Sequence, residues 1–80
     1  MKLQNVTDIE EFIEVVKSCE GAVWIEAPDG ERLSLRSRFS RYIAIGAMAA
    51  DEENDYELFC ARADDERKFF KYFAEHPGVN

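Results

Sequence analysis

Apolar residues recur at helical spacing over Ile9, Phe12, Ile13 and Val16, and Cys19 continues the stripe. That period predicts a first helix from Asp8 to Cys19. Thr7 and Glu10 stand in capping-box relation ahead of it. Asp8, Glu10, Glu11 and Glu14 load its first turns with negative charge, which suits the helix dipole. Gly21 is its natural stop. The period then changes to two. Val23 and Ile25 fall on one face of a strand, Trp24 and Glu26 on the other, which leaves Trp24 half-exposed. Pro28-Asp29-Gly30 is a turn signal, and Leu33 and Leu35 alternate with Arg32 and Ser34 beyond it. The pair reads as a β-hairpin with one covered face and one wet face. Met1 to Val6 reads as a short strand ahead of the first helix, with Leu3 turned inward.

Ser37 can cap a second helix by offering its hydroxyl to the free amides of the first turn. Phe39, Tyr42 and Ile43, followed by Gly46 or Ala47, are expected as the inner face of that helix. It ends between Gly46 and Ala50, before an acidic turn from Asp51 to Asp55. Tyr56 to Ala61 reads as a fourth strand, with Leu58 and Cys60 on one face. Asp64 is the expected cap of a last helix, which Pro77-Gly78 ends. Phe69, Phe70, Tyr72 and Phe73 cannot all face one way on that helix. Phe70 or Tyr72 is therefore expected outside. The order strand, helix, strand, strand, helix, strand, helix predicts an α+β open-faced sandwich. Its four-stranded antiparallel sheet carries three helices on one face.

Eighty residues make a single domain, 1–80. At 46% hydrophobic the chain is too apolar to be disordered. Ten basic residues against seventeen acidic ones give a net charge of −7, which opposes binding to nucleic acid. No apolar run approaches the roughly 20 residues of a membrane span. Met1-Lys2 is followed by a polar stretch rather than a signal-peptide core, so the expected compartment is the cytoplasm. Cys19 and Cys60 are expected as reduced core residues. With one histidine, His76, no zinc-ligand spacing is present. No Cys–His nucleophile is present either, and neither a metal nor a cofactor is expected. His76, next to Pro77, is expected to be a solvent-exposed bystander. The pairs Glu10-Glu11 and Glu52-Glu53 read as solvated surface.

Arg32, Arg36, Arg38 and Arg41 crowd into ten residues of an acidic chain. Guanidinium forks pair with carboxylates and phosphates, so the cluster reads as a docking patch for an acidic or phosphorylated partner. It also reads as a solvated face that balances nearby acids.

The element order has specific residues inside it. Val23-Trp24-Ile25-Glu26-Ala27-Pro28-Asp29-Gly30 gives a strand and turn. Leu35-Arg36-Ser37 enters the second helix, Ala44-Ile45-Gly46 lies near its end, and Ala63-Asp64 opens the last helix. Together they resemble HPr, the histidine-containing phosphocarrier of the bacterial sugar phosphotransferase system. The resemblance spans Ala22 to Phe73. It places the family's phosphoacceptor histidine on Val6 and its nearby arginine on Asp8; small shifts give Thr7, Ile9 or Glu10. None of these is histidine. Phosphoryl relay needs an imidazole nucleophile, and the acids at this helix end would repel an incoming phosphate. Ser37 matches the family's regulatory serine, phosphorylated by a dedicated kinase in many Gram-positive bacteria.

The resemblance therefore implies an HPr-like protein without the carrier histidine. Such a chain would act as a non-enzymatic regulatory or protein-binding module, controlled through Ser37. Its partner would be a regulator, a kinase or a transporter component. The docking residues would be Arg36, Arg38, Phe39, Arg41 and Tyr42, on a face formed by the second helix and the start of the first. Two other functions stay open at this stage: an atypical phosphocarrier, and a structural or oligomerising domain.

Overall fold

A computed structural model describes residues 1–4, 6, 9–50 and 55–79, with the backbone alone at 49 and 50. The proposed capping pair Thr7–Glu10 and the acidic segment at 51–54 therefore fall wholly or partly outside the described residues. Within them the elements run β1 (Lys2–Leu3), α1 (Ile9–Ser18), β2 (Val23–Glu26), β3 (Arg32–Ser34), α2 (Arg38–Ala50), β4 (Tyr56–Cys60) and α3 (Ala63–Glu75). The strands form one antiparallel sheet in the order β1-β4-β2-β3. The helices cover one face of it, as the alternation predicts.

Burial follows the two periods. Val23 and Ile25 of β2 and Tyr56 and Leu58 of β4 point into the core, where they meet Phe12 and Val16 of α1. From α3 come Phe69, Tyr72 and Phe73. The Phe12 ring lies 5.8 Å from both Phe69 and Tyr72, so aromatic contacts join α1 to α3. Each of these large side chains contributes about 1.5–3 kcal/mol by leaving water. On the open face of the sheet Trp24 sits opposite Phe59 and stacks on it at 5.5 Å. Trp24 is half-buried as expected, and Phe59 supplies the cover.

The β2–β3 turn works as its residues suggest. The Gly30 amide donates to the Ala27 carbonyl at 2.9 Å, the Asp29 carboxylate accepts from the Glu31 amide, and Gly30 takes φ +90°. A side chain there would be strained, which is why glycine closes the loop.

Some sequence expectations are corrected. Phe39 and Tyr42 do not form the inner face of α2; they are 74% and 81% exposed, and Ile43 is 43% exposed. Ala44 is the buried residue, with Met48 packed against the core one turn on. Small side chains let α2 lie close to β3, and that close approach turns the aromatic stripe outward. Asp64 does not cap α3. The N-cap is Arg62, in extended conformation and without a side-chain cap bond, while Asp64 is exposed and pairs with Arg67 at 3.4 Å. Tyr72 is buried and Phe70 is the exposed aromatic, as one of the two alternatives had it. His76 is not a bystander: it is half-buried and pairs with Glu11 at 2.7 Å.

Two ionised side chains hold the α1–β2 junction. The Arg36 guanidinium donates to the carbonyls of Val16, Lys17 and Cys19 at the end of α1. The Val16 carbonyl also accepts the Cys19 amide at 3.1 Å, and a cation at this end suits the dipole. The Asp65 carboxylate, fully buried on α3, accepts from the amides of Glu20 and Gly21 at 3.1 and 2.9 Å. Burial works against its charge. The Gly21 and Glu20 amides, with Lys68 at 3.5 Å, outweigh that cost and hold the carboxyl below the usual carboxylate range.

Asp65→Asn is expected to lower the unfolding free energy at pH 7 by about 1–3 kcal/mol, read by urea melts. Because the folded-state pKa is depressed, this contribution is present above the unfolded pKa of about 3.9 and fades as pH falls through the lower folded value. The gap between the two proteins should close on acidification; equal stability at pH 7 would refute the assignment. Arg36→Met should cost about 1–2 kcal/mol in the same assay. Arg36→Lys should recover only part of that loss, since all three bonds come from the terminal Nη1, which the shorter lysine side chain does not reach in the same place.

Candidate functional site

The candidate residues cluster where β3 gives way to α2. Ser37 starts the helix: its carbonyl accepts the Arg41 amide at 2.8 Å, and its hydroxyl lies 3.5 Å from the Ser40 amide. It is the expected cap, with a long side-chain bond. The hydroxyl stands exposed at the positive end of α2.

The structure separates the arginines. Arg32 pairs with Glu26 across the hairpin at 2.9 Å. Arg36 is committed to the α1 carbonyls, so its part in the region is to fix the α2 entrance. Arg38 and Arg41 remain. Among the described residues neither lies within ion-pair distance of a carboxylate. Together with Phe39 and Tyr42 they line a groove of about 610 Å³ between α1 and α2. Four of the five candidate docking residues therefore share one surface, and Arg36 braces it.

Sequence reasoning missed the other wall. Ile13 and Lys17 of α1, one turn apart, face this groove, and Ile45 of α2 completes it. Ile13 belongs to the apolar stripe of α1, but it is only half-buried where Phe12 and Val16 are buried. The signal was the stripe's width, which exceeds what one covering neighbour can bury.

The groove therefore has an apolar floor and a rim carrying Arg38, Arg41 and Lys17, the last paired with Glu14 at 3.9 Å, in a chain of net charge −7. An aliphatic or aromatic side chain fits the floor, and carboxylates fit the rim. Val6, where the resemblance puts the carrier histidine, packs against the core as a partly buried apolar residue. Thr7 and Asp8 lie outside the described residues.

The metal-free expectation rested on counting cysteines and histidines by spacing. Folding brings His76 to Glu11, 65 positions away, and places Glu75 beside them. Carboxylates supplied by a distant helix are invisible to that count. No helix among the described residues is long and apolar enough to cross a membrane. Comparison with protein-family models, with curated proteins and with solved structures finds no match to this chain.

Proposed function

We propose that the chain is a non-enzymatic, HPr-like protein-binding module that docks an acidic partner segment in the α1–α2 groove, with Ser37 as its point of control. The observation that carries this reading is the exposure of Phe39 and Tyr42 at 74% and 81% beside two arginines that have no acidic partner among the described residues. Large aromatics left in water together mark an interface. The sign of the rim selects the partner. A two-fold pairing of this face with itself would set Lys17, Arg38 and Arg41 against their own copies, so the charge favours a different, acidic chain. Phosphate on Ser37 would add about two negative charges next to Arg38 and Arg41. It would occupy the rim electrostatically and expel an acidic segment. The absence of histidine from the positions to which the resemblance assigns the carrier residue favours binding over phosphoryl relay.

Selection from a random 12-residue peptide library tests the groove. Enriched peptides should carry one large apolar residue flanked by Asp or Glu. Tyr42→Ser should weaken the best of them by about 2 kcal/mol, roughly 30-fold, as expected for a central aromatic. Arg38→Glu/Arg41→Glu should remove the acidic preference. Peptides without acidic bias, or a dimer by sedimentation that Tyr42→Ser dissolves, would overturn the reading.

For Ser37, treatment with HPr kinase and ATP should label the wild type and spare Ser37→Ala. The labelled protein should then bind the selected peptide more weakly. Equal labelling of both proteins removes Ser37 from the mechanism.

A further inference from the structure

The geometry points to a divalent transition-metal site, of the zinc type, built from Glu11, Glu75 and His76 where α1 meets the end of α3. One ligand atom from each residue lies within 4.8 Å of the other two, and His76 Nε2 stands 2.7 Å from Glu11 Oε2. Zinc holds nitrogen and oxygen donors at about 2.0–2.2 Å, which sets neighbouring donors about 3.3 Å apart. The close pair must open slightly and the third donor must swing in. Both are rotamer changes of glutamates at least partly open to water. The donors come from two elements, so they do not merely share a helix face.

The imidazole is already oriented. His76 is the residue after α3, and its amide donates to the carbonyls of Tyr72 and Phe73. Its ring packs on Tyr72 at 4.5 Å. Tyr72 is itself buried against Phe12. The backbone and a core aromatic thus hold the ring with Nε2 toward α1, which lowers the entropy cost of ligation. One imidazole and two carboxylates suit zinc and its neighbours better than calcium, which prefers six to eight oxygens. Three protein ligands leave a position for water or for a ligand from a partner.

Lys68 is held by the Ser18 carbonyl and Asp65. Lys68 and Lys71 both line the adjoining hollow with Glu11 and Glu75, and their charges oppose the metal. The cysteines are poor competitors. Burial, followed by the charges of Cys19, Asp65 and Glu66, pushes the Cys60 thiol up to about 12, and burial raises Cys19 also. Thiols that stay protonated do not ligate readily.

Titration of the chelator-treated full chain with zinc chloride, followed by calorimetry and thermal melting, tests the site. One zinc ion per chain should bind at concentrations up to about 100 µM, with a rise in melting temperature from mass action. His76→Ala and Glu75→Gln should each weaken binding at least about tenfold. Glu14→Gln, an exposed acid of α1 outside the cluster, should change it less than twofold, and Lys71→Gln should tighten it. Glu75 is exposed, so its variant remains informative if His76→Ala unfolds. Absence of binding to the wild type, or binding that survives Glu75→Gln undiminished, would overturn the assignment.

Discussion

The carbonyls that close α1 and the amides that follow it are bonded by two ionised side chains from different parts of the chain. Arg36, between β3 and α2, takes the carbonyls of Val16, Lys17 and Cys19; Asp65, inside α3, takes the amides of Glu20 and Gly21. One six-residue junction thereby fixes the hairpin exit and the last helix relative to α1. Backbone groups this close to a core must be bonded to something. Here the sequence spends an arginine and a buried aspartate on them instead of a glycine-type helix cap. The groove depends on this constraint. Arg36 immediately precedes Ser37, so its anchorage sets where α2 begins and which residues of α2 look toward Ile13 and Lys17.

Much of the fold is legible in the sequence because each element has a period and a stop. The α1 stripe, the β2–β3 alternation about Pro28-Asp29-Gly30 and the Pro77-Gly78 end of α3 all act locally, and the structure keeps them. What the sequence hides is the choice between two surfaces that are both partly apolar. In α2 the stripe Phe39, Tyr42, Ile43 has the larger side chains, so it looks like the core face. Ala44 and its neighbours win because a helix laid close on a short edge strand needs small residues at the contact. Hydrophobicity ranks the faces one way and packing distance ranks them the other. The site was legible as a list, Ser37 to Tyr42, for the wrong reason in the aromatics: they were assigned inward and stand outward. The opposite wall and the fate of Arg36 needed the three-dimensional neighbours of α1.

Asp64 and Asp65 show the same limit at one-residue scale. Either could serve the start of α3, and the expected cap from sequence is Asp64. Asp65 is selected by tertiary partners, two amides 44 and 45 positions away. A carboxylate buried to 0% exposure is tolerable only with such partners. Its neighbour, with none of them, stays in water and pairs with Arg67.

The three flanks of α1 carry different chemistry, and this bears on how the chain could work. Phe12 and Val16 face the core, Ile13 and Lys17 face α2, and Glu11 faces the end of α3. At 100° per residue Glu11 points more than a quarter turn away from Ile13 and Lys17, although one shallow hollow on α1 touches all three. An ion held by Glu11, Glu75 and His76 would tighten α1 against α3 without entering the α2 groove. Any influence on docking would have to pass through the position of α1 as a body, by restricting how Ile13 and Lys17 meet Phe39 and Tyr42. Ten residues of helix with two large anchors in the core make a stiff lever. Arg36, bonded to the far end of that same helix, would feel such a shift directly and hand it to the first turn of α2.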